Sequence, residues 1–126
     1  MSTTPKWLLK ALDERDGHRS AEDGVESDTL VPQHRSNRGM GGRRSVNRLS
    51  NLVWLDSIRN GEIETNPVLQ REAKRRGIKI SGFADPELVP ILHALHGWSL
   101  LKDDGSVVKL SPVESAELDG MGGVRV

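Results

Sequence analysis

QHRSNRGMGGRRSVNRLSNLVWLDSIRNG, running from Gln33 to Gly61, is the stretch on which the fold turns. It begins at the end of a β-favouring run, Thr29-Leu30-Val31, expected to stop at Pro32. From Ser36 to Ser50 there are three glycines (Gly39, Gly41, Gly42), small polar residues and arginines. That mixture fits neither the helical nor the strand period, so a long loop is expected. Asn51-Leu52-Val53-Trp54-Leu55 is a compact apolar run, read as the second strand of a hairpin with Thr29 to His34. Ile58 and Ile63 then mark a helical stretch. Asn66-Pro67 supplies an N-cap followed by proline at the first helical position, restarting the helix through Arg76 until Gly77 stops it. The order strand, loop, strand, helix is a ββα unit.

Upstream, Thr4-Pro5 suits a helix start, and Trp7, Leu8, Ala11 and Leu12 give an apolar stripe lasting to about Arg15 and ending near Gly17. Residues 18–28 are polar and read as a loop. Downstream, Ile78–Ile80, Val89–Leu92, Trp98–Leu101 and Val107–Leu110 are short apolar runs separated by turns, and Asp103-Asp104-Gly105 is a hairpin signal. A small antiparallel sheet is expected there. Ser111 to Val126 is rich in glycine and acids and is expected to be disordered. The fold class is therefore α+β: an N-terminal helix (1–17), a ββα core (18–77), a small β extension (78–110) and a tail (111–126). A chain of 126 residues supports one such core.

The formal charge is zero, with 18 basic and 18 acidic residues, but the signs are segregated. Between Thr29 and Leu55 there are five arginines (Arg35, Arg38, Arg43, Arg44, Arg48) and no acid. A patch of that kind can bind phosphate despite a neutral total, so all five are assigned to DNA contact. There is no cysteine, which removes disulfides and thiolate metal sites and leaves nitrogen and oxygen as the only ligands. No apolar run approaches a membrane span, and a cytoplasmic protein is expected.

Phosphodiester hydrolysis needs a base for water, a cation at the leaving oxygen and cations holding the phosphate. His34 can be the base, Gln33 and Asn60 can offer amide oxygens to a metal, and the arginines can hold the backbone. Each residue also has a plainer role. Asn51 can cap a strand, Asn60-Gly61 can be a turn, and Glu62 and Glu64 can be solvated helix residues. Arg71, Lys74, Arg75 and Arg76 suit the negative end of a helix dipole. His18, His93 and His96 read as structural, and the tryptophans as core anchors.

Taken together, Gln33-His34-Arg35, Arg38-Gly39-Met40-Gly41-Gly42, Asn47, Asn51-Leu52-Val53 and Leu55 resemble the HNH endonucleases common in actinobacterial phages. The likeness extends over roughly Asp16 to Leu92. It implies a ββα-metal fold with His34 as general base, Asn51 bracing the loop and orienting that histidine, and Asn60 standing at the final histidine, as in HNN variants. It further implies a Mg²⁺- or Mn²⁺-dependent DNA endonuclease, a hydrolase of phage or prophage type, with the metal on Gln33 and Asn60. Genome packaging beside the large terminase subunit would make that subunit a partner and the host cytoplasm the location. Family members usually carry two cysteine pairs for a structural zinc, and Ser20, Asp23, Asp56 and Arg59 occupy those positions here. No structural zinc is expected, and Arg59 is expected to pair with Asp56, Asp23 or both instead. The alternative is a catalytically degenerate HNH fold that binds DNA or terminase without cutting.

Overall fold

The structure is a computed structural model, and it describes residues 4–37 and 46–124. Within them the chain is a mixed α+β fold with four helices and two small antiparallel sheets. Helix α1 spans Lys6–Asp16, after which strand β1 (Leu30–His34) pairs antiparallel with β2 (Leu52–Asp56). Helices α2 (Ser57–Thr65) and α3 (Pro67–Arg75) follow β2 directly. A three-stranded sheet of β3 (Ile91–His93), β4 (Gly97–Leu101) and β5 (Val107–Lys109) comes next. Helix α4 covers Pro112–Gly120. Short 3-10 turns stand at Leu49–Asn51 and Pro86–Leu88.

β1 does not stop at Pro32. Pro32 lies opposite Trp54 and pairing continues to His34 opposite Leu52. A two-stranded ribbon gives each strand an outer edge, where proline is tolerated. Strand alternation then divides the core. Val53 and Leu55 pack with Ala21, Ile63, Ala73, Ile78, Ile91 and Leu101 on one face. Leu52 and Trp54 pack with Leu8, Leu12, Leu30 and Leu49 on the other. The ribbon is thus covered by α1 on one side and by α2, α3 and the second sheet on the other.

The helix starts are chemically explicit. Asp56 caps α2 by accepting from the Ile58 and Arg59 amides, and Asn66 caps α3 by accepting from the Val68 and Leu69 amides. The α3 exit needs glycine, because Gly77 has φ +73° and a Cβ there would lie 2.0 Å from the Pro90 carbonyl oxygen. Ile78–Ile80 forms no strand; the Ile80 amide instead donates to the Arg35 carbonyl.

The tail corrects an expectation. Residues 112–120 are helical because Ser111 and Glu114 form a reciprocal capping box with Pro112 at the helix start. The Trp98 indole Nε1 donates to Asp119, and the Val124 amide donates to the Arg75 carbonyl, which docks this end of the chain.

Candidate functional site

His34 is the last residue of β1, where the ribbon opens into the arginine-containing loop. Its Nε2 lies 2.8 Å from Asn47 Oδ1. An amide oxygen only accepts, so that contact puts the imidazole proton on Nε2 and leaves Nδ1 with its lone pair. Asn51 braces the segment between them. Its Oδ1 accepts from the Ser36 amide (2.9 Å), and its Nδ2 donates to the Ser36 (2.9 Å) and Val46 (3.0 Å) carbonyls. The Arg35 amide also donates to the Asn51 carbonyl. One buried side chain thereby joins both ends of the loop. The contact that orients the imidazole comes from Asn47 rather than from Asn51.

Gln33 and His34, being adjacent in a strand, face opposite sides of the ribbon. Gln33 lies opposite Val53, on the side that packs against α2. Asn60 sits in α2 three residues before buried Ile63, and so borders the same side. Its Oδ1 is enclosed and accepts no hydrogen bond among the described residues. A buried acceptor without a donor is uncommon, and a cation satisfies it. The enclosed Asn60 amide oxygen therefore suits a hard cation, as a weaker donor than a carboxylate, and Gln33 shares with it only the same side of the ribbon.

The arginine assignment changes most. Arg35, expected to contact DNA, is 2% exposed. Its guanidinium donates to the carbonyls of Gly77 (2.9 Å), Ser50 (3.0 Å), Pro86 (3.0 Å) and Val89 (2.8 Å). Burial, with Arg15 adding to it, pushes its pKa down to about 9, so it stays charged at neutral pH. Arg48 is also drawn inward. Its guanidinium meets Asp103 (2.8 Å), Asp85 (3.1 Å) and Glu87 (3.7 Å). Both are structural cations here rather than exposed DNA contacts. Arg38, Arg43 and Arg44 lie outside the described residues.

A second cluster was not anticipated. Asp16, at the end of α1, is fully buried and accepts from Arg15 Nε (2.9 Å) and Nη2 (2.7 Å), His93 Nε2 (3.2 Å) and His96 Nε2 (2.8 Å). Arg15 also donates to the Leu49 and Leu52 carbonyls. Asp16, His93 and His96 are close enough together to hold a metal. The hydrogen-bond pattern favours protons. The Leu95 amide donates to His93 Nδ1, which places the ring proton on Nε2 facing Asp16, and Arg15 already neutralises the carboxylate. No local signal marks this network, apart from two histidines three residues apart.

Its pH dependence follows from two groups. Burial raises the Asp16 carboxyl, but hydrogen bonds from His93 and Arg15 outweigh it and hold the group well below the ordinary range. Burial pushes His93 below its ordinary value against the pull of Asp16. In both cases the unfolded chain binds the proton more readily, so acidification destabilises the fold. Denaturant midpoints measured from pH 8 down to pH 3 should begin to fall below about pH 6.5 as His93 contributes, and fall further below about pH 4 as Asp16 does. Asp16→Ala, which strands Arg15 and two imidazole donors, should cost about 3–5 kcal/mol.

Arg59 pairs with neither expected aspartate. Its Nε meets Glu22 at 3.0 and 2.9 Å, while Asp56 accepts from Ser27, Thr29 and the α2 amides. The ion pair still ties the 18–28 loop to the start of α2. Glu22 Oε2 and Arg59 are partly exposed, so a double-mutant cycle of Glu22→Gln and Arg59→Gln should return a coupling of only about 0.5–1 kcal/mol. His18, read as structural, packs edge-on against Trp54 with ring centroids 4.6 Å apart. Among the described residues no helix is long and apolar enough to cross a membrane.

No protein-family model, curated protein or solved structure matches the chain.

Proposed function

We propose that the chain is a divalent-metal-dependent DNA endonuclease of the HNN type, with β1, β2 and α2 as a ββα-metal core. The observation carrying this reading is His34 at the end of β1, with Nε2 tied to Asn47 and the Nδ1 lone pair left over, at the mouth of a loop braced by Asn51. A strand-end histidine without that support would be an ordinary polar residue.

In this reading His34 Nδ1 takes a proton from water as its oxygen attacks phosphorus and the P–O3′ bond breaks. Asn47 holds the ring and favours the tautomer that the step needs. A Mg²⁺ or Mn²⁺ ion, which Gln33 and Asn60 would hold on the α2 side of the ribbon, would supply positive charge to the DNA backbone there, while His34 stands on the opposite side. Asn51 keeps the loop ends in register. Service in phage genome packaging, a large terminase partner and a host-cytoplasmic location are proposed on resemblance alone.

A second reading is favoured by one feature, the absence of a carboxylate from the Gln33 and Asn60 ligand pair. Under it the chain binds DNA, or a terminase subunit, without cutting. The two separate when a labelled duplex is bound in EDTA and Mn²⁺ or Mg²⁺ is then added. Cleavage on metal addition supports the nuclease; retention of intact duplex supports the second reading.

A further inference from the structure

A cleft of about 210 Å³ opens between α2, α3 and residues 79–80, beside Asn37. Glu64 lies one turn beyond Asn60 on the same side of α2, which sets this cleft next to the proposed metal position. Lys79 lines it with a side chain only 15% exposed. The opposing charge is Glu64, whose carboxylate is 3.8 Å away and 57% exposed, so much of its field goes to solvent. Lys74 adds a second ammonium from α3, one turn after Gln70, and both line the cleft. Arg35 also lines the inner wall, with its backbone carbonyl bonded to the Ile80 amide and its guanidinium committed to four other carbonyls. Two ammonium groups share one carboxylate, and the Gln70 and Asn37 amides supply neutral donors.

We infer that this cleft binds a phosphodiester group of the nucleic-acid backbone, with Lys79 and Lys74 as its charged contacts and Glu64 displaced toward solvent. The inference rests on the nuclease reading for its choice of ligand. The cleft explains why a lysine is kept largely buried with so weak a counter-charge. Burial pushes Lys79 below its ordinary pKa, and an arriving phosphate would push it back up by stabilising the ammonium. It also supplies backbone contacts that Arg35 and Arg48 cannot make.

The test is binding of a fluorescein-labelled duplex in EDTA across a salt series, with no chemistry possible. Lys79→Gln and Lys74→Gln should each weaken binding and lower the slope of log K against log salt by about 0.9. Lys79→Arg should keep the slope, and Glu64→Gln should tighten binding at low salt. Lys109→Gln, on an exposed strand position that does not line the cleft, should match the parent. Inorganic phosphate should compete with the duplex for the parent at lower concentration than for Lys79→Gln; equal competition would mean that free phosphate is not captured here and would overturn the single-phosphate site. Parent-like slopes in both glutamine variants, with thermal melting unchanged, would overturn the inference even if metal-dependent cleavage is found. A reduced slope with no cleavage under any metal would uphold the cleft and overturn the nuclease instead.

Discussion

Arg35→Leu is expected to destabilise the fold by about 4 kcal/mol or more, a large share of the total stability of a small domain. The reason is the number of acceptors that depend on one side chain. Carbonyls from the α3 exit (Gly77), the turn before β2 (Ser50), the Pro86–Leu88 turn (Pro86) and Val89 all bond to it. Leucine leaves them buried without donors, at about 1–3 kcal/mol each and not additively. Arg35→Lys should fail too, because an ammonium has three donors and no planar fork with which to span four acceptors. Urea denaturation should show the midpoint of either variant well below that of the parent. Arg19→Leu, whose guanidinium makes one long contact of 3.4 Å on the surface, should leave it near the parent value.

The second large effect concerns chemistry rather than folding. His34→Ala should lower the single-turnover nicking rate by about 10²–10⁴-fold, the usual worth of a positioned general base. Stability should change little, because the side-chain hydrogen bond recorded for His34 is the one to Asn47 on a half-buried ring. DNA affinity in EDTA should also hold. Asn47→Ala should give a smaller rate loss, and the pH–rate profile should shift along with it, since Asn47 sets the proton position on the imidazole. A merely structural Asn47 would leave that profile where it is.

The ribbon, α1, α2, α3 and the second sheet were legible because each has a local signature: the compact apolar run of β2, the Asn66-Pro67 cap, and the Asp103-Asp104-Gly105 turn. Helix α4 carried one as well. Ser111-Pro112-Val113-Glu114 is a capping box, although the glycine and acid content around it masks that signal. What stayed hidden depends on distance along the chain. Arg35 reads locally as one more cation of a basic loop, yet its acceptors lie 15 to 54 residues away. Arg48 looks free until Asp85, Glu87 and Asp103 fold onto it. Asp16 meets its histidines across 77 and 80 residues. The Arg59 tie was legible in kind, although the partner is Glu22, the neighbour of the expected Asp23. Of the candidate site, the loop brace of Asn51 was readable, whereas the hold of Asn47 on His34 needed coordinates.

That hold on His34 is the centre of the functional account. The most direct measurement follows supercoiled plasmid through conversion to open circle, with the parent and His34→Ala side by side in Mg²⁺, in Mn²⁺ and in EDTA. The parent should nick with a divalent ion and not in EDTA, and the substitution should reduce the rate at least about 100-fold. Plasmid left intact by the parent with every metal, or nicking unchanged in His34→Ala, would contradict the nuclease reading.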